Sequence, residues 1–143
     1  MTLKELSQLY YLNREIEQDQ RRLEELKAQS RSISATEITG MPKGGHIAGS
    51  AIDRYIAEIV DLEAIISAKI TQCMHERNRL ERYIADIPDS LTRQIFTLRF
   101  ISGLPWHQVA AHIGGYNTEA SVKMICYRHI DKDSEKDNEK ERD

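Results

Sequence analysis

The sequence predicts an all-α protein in which a long antiparallel helical hairpin of coiled-coil type is followed by a small helix-turn-helix domain. In two long segments rich in charged residues, apolar residues recur every seven positions, which is typical of paired helices. Three short amphipathic segments then follow, separated by Pro and Gly. The 143 residues leave room for one domain, or for one small domain with an extended element.

The hairpin is assigned to residues 1–87. Its first helix is expected over about residues 3–30 and its second over about residues 50–86, with a Gly-rich loop at 31–49. Because a long helix with one apolar stripe is not stable alone, each helix needs a partner. The loop is long enough for the first helix to fold back antiparallel on the second, and a second copy of the chain could complete a four-helix arrangement.

Columns of apolar residues at a spacing of seven define the faces that we expect to be buried. The first helix has two columns, the second of them interrupted by an acid: Leu9, Ile16 and Leu23, then Leu12, Asp19 and Leu26. The second helix has a longer, unbroken column: Ile52, Ile59, Ile66, Cys73 and Leu80. Its companion column is interrupted twice: Ile56, Glu63, Ile70, Arg77 and Ile84.

Residues 88–130 contain the start and stop signals of three short helices. Pro88-Asp89-Ser90 starts the first helix, and Leu104-Pro105-Trp106 starts the second, because a proline in a first helical turn gives up no hydrogen bond. Gly103 ends the first helix, and Gly114-Gly115 permits the positive φ angles of a tight turn. This order of elements predicts a helix-turn-helix domain.

The third of these helices begins near Asn117 or Thr118, either of which can cap it. Apolar residues at helical spacing are expected to meet between the three helices. They are Leu91, Ile95, Leu98, Val109, Ala110, Ile113, Val122, Ile125 and Cys126.

The outward side of the third helix holds the residues that we expect to contact DNA, since this helix enters the major groove in helix-turn-helix proteins. They are Asn117, Thr118, Ser121, Lys123, Met124, Tyr127 and Arg128. Ser121 and Lys123 lie near the amino end of the helix and are expected at base edges, and Arg128 is expected at a phosphate. A three-helix packing module that binds no DNA would have the same spacing.

Residues 104–130 resemble region four of bacterial sigma factors, their last DNA-contacting region, and similar domains of small phage proteins. The matching residues are Val109, Ala110, Ile113, Gly114, Val122, Ile125 and Arg128. From about residue 3 to residue 130 the chain also resembles a family of small phage-encoded proteins, with a loop like that at 40–45. The resemblance implies a phage or prophage transcription regulator, related to phage late-gene regulators, in the cytoplasm of a bacterial host.

Charge is distributed unevenly along the chain, whose net charge is −3. Residues 88–130 have four bases against two acids, whereas residues 131–143 have seven acids against four bases. The helix-turn-helix segment is therefore the only basic part, and weakly so. The last thirteen residues have no apolar anchor after residue 130 and are expected to form a disordered charged tail or a frayed extension of the last helix.

The sequence contains no pattern typical of an enzyme, a metal site or a cofactor site. His75-Glu76 is not followed by the second His of a HExxH zinc motif, and Cys73 and Cys126 have no CxxC partner, so they are expected to be reduced thiols. The loop at 41–46 does not match a phosphate-binding GxxxxGK[ST] motif and is interpreted as a connector. No apolar segment is long enough to suggest a membrane span.

The expected partners are double-stranded DNA, RNA polymerase through the coiled-coil region, and further copies of the chain. Two other functions remain open from the sequence. One is a DNA-packaging accessory similar to a terminase small subunit, which also joins a helix-turn-helix to a helical oligomer. The other is a protein-protein interaction module that does not bind DNA.

Overall fold

The computed structural model of the chain describes residues 1–38 and 45–142, with side chains for 1–33 and 51–142. These residues form helices joined by short turns and contain no strand, which confirms the all-α fold. The helices are α1 (Leu3–Leu6), α2 (Gln8–Ile38), α3 (Gly45–Ala85), α4 (Ser90–Phe96), α5 (Trp106–Ile113) and α6 (Glu119–Lys140), with a π-helical turn at Thr97–Ile101.

Helices α2 and α3 run antiparallel over residues 13–72, as the sequence predicted. Two ion pairs show the direction: Lys69 Nζ lies 2.6 Å from Asp19 Oδ2, and Lys27 Nζ lies 3.8 Å from Glu63 Oε1. The residue number rises along α2 while that of its partner falls along α3, so the two helices point in opposite directions.

The apolar columns predicted for this hairpin supply its interior. Ile16, Leu26 and Ile66 are buried. Asp19, which interrupts a column of α2, is only 23% exposed and is neutralised by Lys69, whose pKa this hydrogen bond raises. The acid in the apolar column is therefore accommodated by a specific cation on the opposite helix.

The companion column of α3 differs from the expectation, because part of it faces solvent. Ile56 is 50% exposed and Ile70 is 42% exposed. Two packed helices cover only one side of each other, so a helix with a broad apolar face keeps part of that face uncovered.

The chain divides into two compact units, Asn13–Gln72 and a second unit formed by Met1–Leu12 with Cys73–Asp143. The sequence placed the boundary after residue 87 instead. The second unit takes in the ends of both long helices because they supply part of its core, in which Leu6 and Leu80 are fully buried. The helix-turn-helix segment thus belongs to a larger unit than the sequence predicted.

The boundaries of the short helices follow the predicted signals closely. Asp89 caps α4, accepting a hydrogen bond from the Thr92 backbone N–H at 2.9 Å. Gly103, Gly114 and Gly115 all have positive φ angles, between 64° and 70°. These three turn positions therefore require glycine, since a side chain is strained in this conformation. Pro105 directly precedes α5 as its cap residue, a position at which its missing N–H costs nothing.

The tail and the connection are more helical than the predicted disordered tail and Gly-rich loop. Helix α6 continues through Lys140, so residues 131–140 are not disordered but form an extension of the last helix, the other of the two forms expected for the tail. It is held by Asp133, which accepts hydrogen bonds from the Tyr83 hydroxyl at 2.8 Å and from the Met1 amino group at 2.9 Å. The predicted loop at 31–49 is partly helical, as α2 reaches Ile38 and α3 starts at Gly45, and its residues 39–44 lie outside the described residues.

No helix in the described ranges is both long and apolar enough to cross a membrane.

Candidate nucleic-acid interface

Helices α4, α5 and α6 pack around a shared core within the second unit. Ile95 on α4, Val109 on α5 and Val122 on α6 are fully buried. Ala110 on α5 is 8% exposed, which places a small side chain where the helices approach closely, as predicted. The sequence therefore predicted these four inward positions correctly.

Some core positions differ from the prediction. Four of the expected core residues are only partly buried: Leu91, Leu98, Ile113 and Ile125. Several of the more deeply buried positions lie outside the predicted core: Thr92, Phe96, Phe100 and Ile130. The π-helical turn at Thr97–Ile101 explains part of the difference, because a wider turn places inward positions four or more residues apart. The spacing of four residues between Thr92, Phe96 and Phe100 is a sequence pattern from which these three core positions could have been predicted.

The amino end of α6 is closed by its own side chains. Thr118 Oγ1 accepts from the Ser121 backbone N–H at 3.1 Å, and Ser121 Oγ accepts from the Thr118 backbone N–H at 2.9 Å. The Ser121 hydroxyl also donates to the Thr118 carbonyl oxygen at 2.9 Å. Thr118 is thus the cap, one of the two candidates that the sequence left open. The hydroxyl of Ser121, expected at a base edge, is already engaged in the capping box.

Asn117 closes the turn before α6. Its Nδ2 donates to the Gly114 carbonyl oxygen at 3.1 Å, and its backbone N–H donates to the same oxygen at 3.4 Å. Asn117 was expected to contact DNA, and the structure shows that its side chain shapes the turn. The neighbouring Tyr116 is fully exposed.

Three of the four cations of this segment are engaged within it. Arg93 donates to the carbonyl oxygens of residues 87 and 88, at 2.6 and 2.9 Å. Arg99 donates to the carbonyl oxygen of Leu104 at 3.0 Å, and its guanidinium lies 4.7 Å from the centre of the Trp106 ring. Lys123 Nζ lies 3.1 Å from Glu119 Oε1, one turn away on α6.

Arg128 is the fourth cation. It is exposed, and it forms no ion pair with any residue that the structure describes. It lies on the outward side of α6 with Met124, which is 50% exposed, and Tyr127, which is 41% exposed. The Tyr127 ring also contacts Trp106, with ring centres 6.1 Å apart. The outward face of α6 is therefore partly apolar and carries Arg128, which has no ion-pair partner in the described part of the chain.

The opposite side of α6 is tied into the core of the unit. His129 packs against Phe96, with ring centres 5.2 Å apart, and burial lowers the pKa of its imidazole. Cys126 is fully buried, and burial raises the pKa of its thiol to about 12, so it packs as a small apolar residue, as expected. These contacts fix the rotation of α6 and so determine which residues point outward.

The cysteines Cys73 and Cys126 are both buried and form no disulfide. Within the described parts of the chain, no three His, Cys, Asp or Glu side chains lie close enough together to hold a metal ion.

No family model, curated protein or solved structure matches this chain. Its function is therefore inferred from its residues and their geometry.

Proposed function

We propose that this protein binds double-stranded DNA through helices α4 to α6 and acts as a phage-type transcription regulator in the cytoplasm of a bacterial host. The observation that supports this proposal most directly is the exposed face of α6, with Met124, Tyr127 and Arg128 pointing away from the buried Val122 and Cys126. A third helix that is anchored on one side and exposed on the other is what entry into the major groove requires.

The positions of the side chains on α6 suggest which part of the DNA each would contact. Arg128 is exposed, forms no ion pair with the described residues, and is assigned to a phosphate. Lys123 can reach a base edge only if its ion pair with Glu119 breaks. Because this pair is exposed, breaking it costs little free energy. Met124 supplies an apolar contact suited to a thymine methyl group.

The side chains that close the turn have an indirect role in this proposal. Asn117, Thr118 and Ser121 hold the amino end of α6 in one conformation. They are therefore assigned to positioning the helix. This replaces the direct base contact that the sequence predicted for Ser121.

The weak positive charge predicts modest, weakly salt-dependent binding. Arg128 is the one cation assigned to a phosphate, so about one phosphate charge would be neutralised per domain, giving a slope of log K against log salt near −1. Selectivity must then come from the fit of α6 in the groove more than from general attraction to DNA.

The decisive measurement is a salt-titrated mobility shift with specific and random duplexes. Arg128→Ala should weaken binding to all duplexes and reduce the magnitude of the salt slope by about one, whereas Lys123→Ala should cost about 1–3 kcal/mol on the specific site alone. Lys140→Ala, which removes the same charge at the far end of α6, is the matched control and should bind as wild type. Wild-type binding by both test variants would refute the DNA-contacting role of α6.

A second candidate is binding to a protein such as RNA polymerase. The exposed apolar side chains of Tyr116, Met124 and Tyr127 favour it, since exposed aromatic residues and Met are enriched in protein interfaces. Replacing Tyr127 with Ser should then abolish co-purification with polymerase while DNA binding by the variant stays unchanged. Loss of DNA binding with intact polymerase association would support the first function instead.

A further inference from the structure

Helix α3 has an exposed face with an unusual composition for this chain. Six positions at alternating spacings of four and three residues share the face: Ile56, Val60, Glu63, Ser67, Ile70 and Met74. The four apolar members are between 42% and 62% exposed. Glu63 is the only charged member, although charged residues make up 30% of the sequence. We call these six positions the α3 stripe.

The exposed surface of α2 is different. Charged and amide side chains dominate it between residues 13 and 25, and Glu17, Arg21 and Glu24 are all exposed. Their ion pairs are made along α2 itself, as between Arg21 and Glu17 at 4.0 Å. The apolar surface that the hairpin exposes is therefore concentrated on α3, and water contact with it is unfavourable.

The α3 stripe is symmetric about position 65. Reading outward from that position, a polar pair (Glu63 and Ser67) is followed by two apolar pairs (Val60 with Ile70, Ile56 with Met74). At the same spacing beyond them stand Asp53 and Arg77, which have opposite charges. The spacing of four and three residues is symmetric whatever residues occupy it, so the informative property is which residues form the pairs. Those paired about position 65 are complementary, apolar with apolar and acid with base, as contact with a second copy across a two-fold axis requires.

We propose that the protein forms a homodimer in which the α3 stripes of two copies pack antiparallel, with the two-fold axis at position 65. In this register Val60 faces Ile70 of the second copy, Ile56 faces Met74, and Asp53 faces Arg77. A parallel arrangement would instead set each Glu63 against its own copy. The inference goes beyond the proposed DNA binding and does not depend on it.

The first test measures mass in solution by light scattering on the full chain. Wild type should have twice the chain mass of 16.5 kDa at micromolar concentration. Val60→Glu with Ile70→Glu should give a monomer of unchanged helicity, because both side chains are exposed within the hairpin. Ile65→Glu is the matched control: Ile65 is 48% exposed on α3 but points away from the stripe, so the variant should remain dimeric. A monomeric wild type, or a monomeric Ile65→Glu, would overturn the proposal.

The second test reads the register by disulfide cross-linking. A mixture of Val60→Cys and Ile70→Cys chains, each carrying a different tag, should form a covalent dimer containing one of each. Neither variant should cross-link alone, since ten residues of helix separate equivalent positions by about 15 Å, more than a disulfide spans. Efficient cross-linking of either variant alone would show a parallel dimer and overturn the antiparallel register.

Discussion

The hydroxyl of Tyr83, near the end of α3, donates a hydrogen bond of 2.8 Å to the carboxylate of Asp133 on α6. The same carboxylate lies 2.9 Å from the Met1 amino group. Burial and the contact with Asp133 both raise the pKa of Tyr83, so the phenol stays protonated and remains the donor. This bond holds the carboxyl-terminal half of α6 against the rest of its compact unit.

Removing the hydroxyl should therefore loosen α6. Tyr83→Phe is expected to lower the free energy of unfolding by about 1 kcal/mol, the usual value of one hydrogen bond. Urea denaturation followed by circular dichroism measures the difference. Tyr11→Phe removes the same hydroxyl from a ring that is 61% exposed, and should leave stability unchanged. Equal effects of the two substitutions would show that the Tyr83–Asp133 bond contributes nothing.

The core of the helix-turn-helix segment should respond according to burial. Ile95 is fully buried, so Ile95→Ala is expected to cost roughly 2–5 kcal/mol. Ile113 is only partly buried, so Ile113→Ala should cost less than half as much. Thermal denaturation of both variants shows which substitution lowers the free energy of unfolding more. A larger loss for Ile113→Ala would contradict the packing described above.

The cap of α6 gives a prediction with an internal control. Thr118→Ala removes the acceptor for the Ser121 backbone N–H and should destabilise the unit by about 1 kcal/mol. Thr118→Ser keeps the hydroxyl and should stay within a few tenths of wild type. If alanine and serine behave alike at this position, the capping box is not a determinant of stability.

Stability should fall on mild acidification because of His129. Burial holds the pKa of folded His129 below its ordinary value of 6.5, so the unfolded chain binds a proton at higher pH than the folded chain does. The contribution of neutral His129 to the free energy of unfolding is therefore complete above pH 6.5. It decreases as the pH falls through 6.5 toward the lower pKa of the folded state. Asp133 on the same helix opposes the shift, and Lys132 and Lys136 reinforce it.

The measurement is the melting temperature between pH 7.5 and pH 5, for wild type and for His129→Phe. The phenylalanine keeps a ring beside Phe96 and cannot titrate, so the variant should lose less stability over this range. His112→Asn, at an exposed position of α5, should keep the slope of wild type. Parallel curves for wild type and His129→Phe would exclude His129 as the titrating group.

The helices and their orientation could be predicted because the relevant signals are local. The seven-residue repeat through Ile66 and Leu80 identifies α3, and the glycines at 103, 114 and 115 mark turns by a requirement of the backbone alone. The pairing of the two helices followed from the need of two apolar stripes to cover each other, and the antiparallel direction followed from a connection long enough for the chain to fold back.

What could not be predicted depends on contacts between distant residues. The helical continuation of α6 is stabilised by the hydrogen bond between Asp133 and Tyr83, which lies fifty positions earlier in the chain. No local sequence pattern predicts this contact. The extent of the second unit rests on Leu6 packing in a core with residues beyond 73. In the candidate interface, Ser121 was expected at a base edge, and only the geometry shows its hydroxyl in the capping box.

The pair formed by Asp19 and Lys69 also determines how the hairpin is aligned. Apolar residues repeated every seven positions would accept a shift of one helix by a whole heptad with little change in contacts. Such a shift would leave the Asp19 carboxylate opposite Leu62, where no cation meets it. The 2.6 Å ion pair therefore favours a single alignment of the two helices. It makes the hairpin less stable than a pair of leucines at the same two positions would. A hairpin with leucine at both positions should melt at higher temperature and, in its nuclear magnetic resonance spectrum, show more than one aligned form.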